Sequence, residues 1–432
     1  MNSITQVLMF LLLFSQGISH CVAQVNLGAT ASLEHLENPS RLHNPDNSDL
    51  LSTVSIDGNL ARETQRFSML LDYRASRSDY KNNILEDRET IDGSSSFVWK
   101  VSPDILQWNL SNSRSNQLIS AKDPDTPDNR QIISRTSTGP SLTLPFGAVN
   151  YLDLQVDYSL ADYEEAQLLD QERKSISVNF TRSLSRRITA SIRSNLMETS
   201  FDSKTVSKYK IFSLSAIASL SSATYNTSLE LGQFETKRTG QGKSSNPLIR
   251  LNGNYKLSSF SEITASYSRT VEDLLSDIRR SQEDQEQPIE REEDFENRFG
   301  DSNSASLYIK TSASLAYSFV DTSRYNLRIK YSISERKFEQ LNDQETDERI
   351  SLNLSIPFST KTNLSFRTRY SELQLSNLNP KQKLSEVSAS LSYKLSNNFR
   401  LNFSLRNIDQ KSKNVNDTYD GTNIFIGLTY RR

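Results

Sequence analysis

The segment FRLNFSL, residues 399–405, alternates apolar and polar side chains without a break. The segment VSASLSYKL before it, residues 387–395, alternates in the same way, and Ser396-Asn397-Asn398 joins the two. Successive side chains of a β-strand point to opposite faces, so each segment is predicted to be a strand with one apolar and one polar face. The pattern recurs along nearly the whole chain and predicts an all-β protein.

The composition is polar for a chain with so many apolar strand faces. Mean hydropathy is −0.58, and 35% of the residues are hydrophobic. A transmembrane β-barrel reconciles these observations, because only alternate residues face lipid while the lumen and the loops are polar. Disorder is disfavoured because the apolar residues recur with period two instead of being scattered. The net charge of −2 gives no bulk attraction to nucleic acid, so no nucleic-acid partner is predicted.

Short turns alternate with longer polar segments along the chain. The short turns are predicted at residues 61–64, 102–104, 147–150, 183–186, 221–223, 258–261, 320–323, 359–362 and 396–398. The longer segments include residues 38–48, 121–129, 164–173, 237–245, 341–348, 378–383 and 411–418. This rhythm predicts a single antiparallel up-and-down barrel of about 20 strands, with about 18 as the alternative. In outer-membrane barrels, the short turns and both termini are periplasmic, and the long loops are extracellular.

The start of the chain predicts secretion. Residues 7–14 form an apolar core that is too short to span a bilayer as a helix. Cys21-Val22-Ala23 fits a small-residue cleavage site, so residues 1–23 are predicted to be a signal peptide and residues 24–432 the barrel. Lipid modification of Cys21 is the alternative, although His20 stands where that processing requires a small residue.

This organisation predicts the bacterial outer membrane as the location, with lipid and lipopolysaccharide around the barrel. Aromatic residues near strand ends, such as Trp99 and Trp108, are predicted to form girdles at the membrane interfaces. The barrel insertion machinery is a further predicted partner. That machinery usually recognises a terminal aromatic residue, whereas Arg431 and Arg432 follow Tyr430 in this chain.

Basic residues recur on the polar faces of strands in the C-terminal half. They are Arg328, Lys330, Arg367, Arg369, Lys394, Arg400 and Arg406. One interpretation is an electropositive wall of the lumen that attracts anionic solutes such as an acidic polysaccharide. The alternative is a network in which these bases pair with carboxylates that also face the lumen. Candidate partners are Asp72, Asp153, Asp157 and Glu230.

The segment from Glu272 to Arg298 is the longest and most acidic of the predicted loops. Clustered carboxylates can bind Ca²⁺, but the regular ligand spacing with a turn glycine is missing here. A solvated loop is the favoured interpretation. It is also the best candidate for a plug, because no separate plug domain precedes the first predicted strand.

Catalysis finds little support in the sequence. The predicted mature chain has two histidines, His35 and His43, both near its N-terminus. Neither a nucleophile elbow nor a pair of zinc ligands is recognisable, and a phosphate-binding glycine loop is missing. The chain is therefore predicted not to be an enzyme, with no catalytic residue, cofactor or metal.

The signal sequence, the period-two alternation and the rhythm of turns and loops resemble outer-membrane β-barrel proteins in general. The opening strand Val25–Leu36, the segment Leu70-Leu71-Asp72-Tyr73-Arg74 and the closing Ile426–Arg431 also resemble a barrel family found beside exosortase and exopolysaccharide systems of Gram-negative bacteria. That resemblance implies a role linked to surface polysaccharide. The function expected of the chain is therefore a channel, or a component of surface-polysaccharide export or assembly, with anionic polysaccharide or envelope export components as partners. The alternatives are a plugged scaffold barrel of the envelope and, less favoured, an outer-membrane enzyme.

Overall fold

The computed structural model describes residues 24–43, 47–119, 126–203, 206–240, 242–273, 307–321, 323–338, 343–374, 381–413 and 418–432. These residues form twenty strands. The strands are β1 (Gln24–Glu37), β2 (Ser48–Glu63), β3 (Phe67–Tyr80), β4 (Arg88–Ser102), β5 (Leu106–Leu118), β6 (Arg130–Phe146), β7 (Asn150–Tyr163), β8 (Gln171–Ser183), β9 (Ile188–Phe201), β10 (Tyr209–Ser221), β11 (Tyr225–Arg238), β12 (Lys243–Lys256), β13 (Ser261–Glu272), β14 (Tyr308–Asp321), β15 (Tyr325–Phe338), β16 (Asp343–Pro357), β17 (Thr362–Gln374), β18 (Gln382–Lys394), β19 (Phe399–Ser412) and β20 (Tyr419–Arg431). The predicted signal peptide lies outside the described residues.

The sheet closes on itself. Each strand pairs antiparallel with the next, and β20 pairs with β1 so that Tyr430 is opposite Ala29. Closure satisfies the backbone hydrogen bonds of both terminal strands and leaves no strand edge open. The prediction of an all-β up-and-down barrel with twenty strands is confirmed, and the eighteen-stranded alternative is wrong.

The nine predicted short turns all lie between paired strands, from the β2–β3 connection to the β18–β19 connection. Two predicted long loops are wrong. β11 continues to Arg238 and β12 begins at Lys243, so four residues connect them, and β16 already begins at Asp343. The external ends of these strands are polar on both faces, and a polar strand end has the same composition as a loop. Here the pairing of the neighbouring strands extends the sheet beyond its apolar part.

The two faces of the barrel differ in chemistry. Outward positions carry apolar side chains, among them Leu391, Phe403 and Ile426, which are 40%, 44% and 48% exposed. Inward positions carry hydroxyl and amide groups, and many pair across strands, such as Ser266 with Ser314 at 2.7 Å. The outward face is therefore fitted to lipid and the inward face to water, as the alternation predicts.

Aromatic side chains ring the outward face near the short turns. Trp99 and Trp108 are direct cross-strand neighbours. The rings of Phe399 and Tyr430 lie 5.1 Å apart between centroids. Amphipathic rings prefer the headgroup level of a bilayer, so this girdle marks one boundary of the membrane. The described residues also form two short 3-10 helices, Pro127–Asn129 and Gln167–Leu169, and no helix among these residues is long and apolar enough to cross a membrane.

Candidate functional site: the barrel lumen

All seven predicted basic residues lie on the inward face, and the strand register arranges five of them in two adjacent rows. The first row crosses β15 to β19 through Arg328, Asn353, Arg367, Ser388 and Arg406. The second row crosses β15 to β18 through Lys330, Ser351, Arg369 and Glu386. Neighbouring strands are about 4.8 Å apart, so five cationic side chains share a patch of lumen wall. We call this patch the basic wall.

The other two predicted residues belong elsewhere. Lys394 and Arg400 face each other across β18 and β19, next to the short turn that joins these strands. Arg400 precedes Arg406 by six residues on the same strand, a separation of about 20 Å. The predicted band therefore consists of the basic wall and a separate cationic pair near the periplasmic rim.

The side chains of the basic wall differ in their contacts. Arg406 Nε lies 2.7 Å from Glu386 Oε1. Arg367 Nε donates a hydrogen bond to the neutral Asn353 Oδ1 at 2.9 Å, and Arg328 is exposed to the lumen. Arg406 therefore forms an ion pair, as in the alternative interpretation, and its partner Glu386 is a carboxylate that the sequence did not single out.

Those four carboxylates do face the lumen, on other strands. Glu230 of β11 lies 3.0 Å from Arg250 of β12 and 4.0 Å from Arg193 of β9. Asp153 accepts a hydrogen bond from Thr143 at 2.8 Å. These partners lie only one or two strands away in the register. Asp153 and Glu230 therefore contact nearby wall residues, and the network with the bases of the C-terminal half stays a prediction.

Sequence reasoning missed two inward arginines in the same sector of the wall. Arg336 pairs with Glu345 at 3.7 Å, and Arg349 pairs with Asp347 at 2.9 Å. The period-two alternation alone could have identified both as inward, since Arg336 is an even number of residues after Arg328 on β15 and so points to the same face. With these residues included, inward cations outnumber inward carboxylates on the described parts of β15 to β19.

Inward carboxylates dominate a different sector. Asp57, Asp72 and Asp92 lie on β2 to β4, and Asp153 and Asp157 lie on β7. On β3, Arg74 is the direct cross-strand neighbour of both Asp57 and Asp92. In the ring of twenty strands, β7 lies ten strands from β17 and so faces the basic wall across the lumen, whereas β2 to β4 lie five to seven strands from β17. The lumen consequently carries a transverse charge asymmetry.

A polar recess of about 420 Å³ opens in the wall between β7 and β12. Its lining residues are Asp153, Gln155, Ser177, Asn179, Arg193, Asn195, Ser213, Glu230, Leu248 and Arg250. Glu230 fixes the side chains around it in this recess, because it accepts hydrogen bonds from Ser215 at 2.6 Å and Arg250 at 3.0 Å. Amides, hydroxyls and paired charges of this kind can bind a hydroxyl-rich solute through hydrogen bonds.

Several described side chains at the external mouth of the lumen make buried contacts with one another. Asp273, directly after β13, contacts both Arg173 of β8 and Tyr209 of β10, and all three side chains are buried. An inward apolar cluster around Tyr209 and Phe234 is covered by Val206 and Leu307, which come from loops. Val206 and Leu307 therefore pack against the inner wall at the external mouth. The acidic segment predicted as a loop lies outside the described residues beyond Asp273.

The fold and lumen define the class of protein. A closed, twenty-stranded barrel with an apolar outer surface and a polar interior is an outer-membrane β-barrel. Among the described residues, no group of three His, Cys, Asp or Glu side chains is placed to hold a metal ion.

The chain is similar in fold to solved outer-membrane proteins. One is the FrpB iron transporter from Neisseria meningitidis (F5-1 variant, apoprotein form), at 9% identity and a TM-score of 0.52, with 96% of this chain and 82% of that chain covered. Another is the siderophore receptor PirA from Acinetobacter baumannii, at 10% identity and a TM-score of 0.50, with 94% and 80% covered. No protein-family model matches the sequence, and no match was found among curated proteins. The likeness shows the fold and supports the outer-membrane location, while the resemblance to the exopolysaccharide-linked family stays a prediction.

Proposed function

We propose that this protein is an outer-membrane transport barrel that passes polar, anionic solutes along its basic wall. The observation that carries the proposal is the arrangement of Arg328, Lys330, Arg367, Arg369 and Arg406 in two adjacent inward rows. Charged walls in a confined lumen raise the local concentration of counter-ions and bias permeation towards them. Of the two similar structures, one is an iron transporter and the other a siderophore receptor, which agrees with this class of function.

The solute class that we favour is an acidic polysaccharide or one of its oligomers. The basic wall continues over several strands, so it can contact successive charges of a chain-like solute. The polar recess beside Glu230 adds hydrogen-bonding groups that suit sugar hydroxyls. A role in surface-polysaccharide export or assembly, which the resemblance implies, fits this chemistry.

The experiment compares fluxes into liposomes that contain the purified barrel. Entry of a galacturonate dimer should exceed entry of a neutral disaccharide of similar size, and the difference should shrink when salt screens the wall. Equal entry of both sugars, independent of salt, would contradict the proposal.

A plugged scaffold barrel is the second candidate. The packing of Val206 and Leu307 against the inward apolar cluster at the external mouth favours it. Liposomes with folded barrel that exclude both sugars and small ions would establish this second candidate instead of the first.

We also propose that residues 1–23 are removed as a signal peptide. N-terminal sequencing of protein taken from the outer membrane should begin at Gln24. A lipid-modified Cys21 at the N-terminus would support the alternative processing.

A further inference from the structure

One aromatic side chain lies on the inward face at the middle of β20. Phe425 stands between Ile424 and Ile426, which face outward, so the alternation directs it into the lumen. Its side chain is half-buried, and part of it is accessible from the lumen. Other inward aromatic side chains, such as Phe338 and Tyr419, are buried at the external ends of their strands. Phe425 therefore differs from them in both depth and exposure.

The Phe425 ring lies along the lumen wall, over Gly427. A Cβ atom placed on Gly427 would lie 2.7 Å from Phe425 Cζ and 3.0 Å from Phe425 Cε1. Gly427 is buried although it belongs to the lumen wall, which agrees with a ring that covers it. A side chain at this position would push the ring away from the wall. Glycine therefore allows the ring to lie against the strand in a close approach.

In the described part of the chain, no aromatic or cationic side chain stacks on the Phe425 ring. Its direct cross-strand neighbours are Ser404 of β19 and Glu34 of β1, and Ser32 is the cross-strand neighbour of Gly427. These neighbours are small or polar. Covering the accessible part of an apolar ring in a wet lumen is favourable, because apolar surface is removed from water. The ring therefore offers a surface to a ligand.

Hydrogen-bonding groups lie next to Gly427 on the inward face. Asn402 of β19 is the cross-strand neighbour of Gly427, and its amide donates a hydrogen bond to Thr429 Oγ1 at 3.4 Å. Thr30 of β1 donates to the same oxygen at 3.2 Å. These three side chains are half-buried, and amides and hydroxyls are suitable partners for sugar hydroxyls. The ring of Phe425 thus has polar groups on its periplasmic side.

The basic wall begins on the other side of the ring. Asn423, two residues before Phe425 on the same face, is the cross-strand neighbour of Arg406. Diagonal neighbours across a strand pair are about 7–8 Å apart, so Phe425 adjoins the row that contains Arg406. A carboxylated sugar on the ring would therefore have its charge next to the basic wall.

We propose that Phe425 is a stacking platform for one sugar ring of an acidic saccharide, at the periplasmic end of the basic wall. The C–H face of a pyranose packs on the electron-rich face of the aromatic ring. Asn402 and Thr429 bind its hydroxyls, and the basic wall attracts its carboxylate. This inference rests on the proposed function, because it takes an acidic saccharide as the solute. It adds recognition of the sugar ring to recognition of the charge.

The test measures binding of a galacturonate dimer to the full barrel in detergent by titration calorimetry, with adipate as a dianion that has no sugar ring. Phe425→Ala and Phe425→Leu should bind the dimer roughly tenfold more weakly than wild type, a loss of about 1.4 kcal/mol, and should bind adipate unchanged. Phe425→Tyr keeps the ring and should bind the dimer like wild type. The matched control, Phe403→Leu, removes an outward ring of β19 and should leave binding of both ligands unchanged.

A second variant keeps the ring and moves it. Gly427→Ala should displace the ring from the wall and weaken binding of the dimer severalfold, with adipate unaffected. Unchanged binding of the dimer by Phe425→Ala, full binding by Phe425→Leu, or an equal loss for dimer and adipate would overturn the platform alone. A wild-type barrel that binds adipate but not the dimer would overturn the platform and the saccharide as solute, and leave the basic wall intact. Binding of neither ligand would overturn both proposals.

Discussion

Arg406 and Glu386 form an ion pair on the inner surface of β18 and β19, with Arg406 Nε 2.7 Å from Glu386 Oε1. Glu386 is also the direct cross-strand neighbour of Arg369. One carboxylate therefore offsets part of the charge of the basic wall at its centre. Its removal should strengthen the positive field in the lumen.

The variant Glu386→Gln should raise the anion-to-cation permeability ratio roughly twofold, because one charge about 10 Å away in water contributes about 0.4 kcal/mol before screening. Reversal potentials across planar bilayers with a salt gradient measure this ratio. Glu348→Gln is the control, since Glu348 faces outward, where Tyr331 donates a hydrogen bond to it at 2.8 Å. A ratio that falls in Glu386→Gln, or rises equally in the control, would refute the role of Glu386.

The assignment of faces predicts opposite results for neighbouring substitutions on β19. Leu405 is outward and 44% exposed, whereas Ser404 is inward and opposite Ser390. Leu405→Arg should lower the free energy of unfolding in lipid by about 2–4 kcal/mol, because a charge there would meet hydrocarbon. Ser404→Arg should have a much smaller effect, since the lumen is wet. Urea titration in vesicles measures both, and a larger loss for Ser404→Arg would contradict the register.

The buried contact of Asp273 with Arg173 predicts that the external mouth contributes to stability. Asp273→Asn leaves the buried Arg173 guanidinium without that negative charge and should cost about 3–5 kcal/mol in unfolding free energy. Glu235→Gln is the control, because it removes an exposed ion pair and should cost less than about 1 kcal/mol. Urea unfolding monitored by the heat-dependent mobility of the barrel on gels distinguishes them. Equal small costs would show that the Asp273 contact does not hold the mouth together.

Sequence alternation was sufficient for the barrel, its strand number and the inward direction of the basic residues. Side-chain direction has period two along a strand, so residues such as Arg367 and Ser388 needed no structure to be assigned a face. Pairing across strands required the register. Arg173 and Asp273 are 100 residues apart in sequence and meet because the end of β13 lies over the inner wall.

The register also explains the other errors. Lys237 and Lys243 were placed in a loop because polar residues dominate both faces there, yet they lie in paired strands. Lys394 and Arg400 were predicted to belong to the same basic band because their side chains point to the same face as those of the basic wall. The face of a strand, however, contains no information about height in the membrane. The depth of a side chain depends on strand tilt and on the position of the turn, which alternation alone does not determine.

The most direct test of the basic wall is the single-channel reversal potential of the double variant Arg367→Gln/Arg369→Gln in planar bilayers. Wild-type barrel should form an anion-selective channel, and the variant should lose roughly fourfold in anion-to-cation permeability, about twofold for each charge. Lys383→Gln/Lys411→Gln, which removes two outward lysines, should keep the wild-type ratio. A folded wild-type barrel that conducts no ions, or one whose selectivity is unchanged by the double variant, would contradict the account.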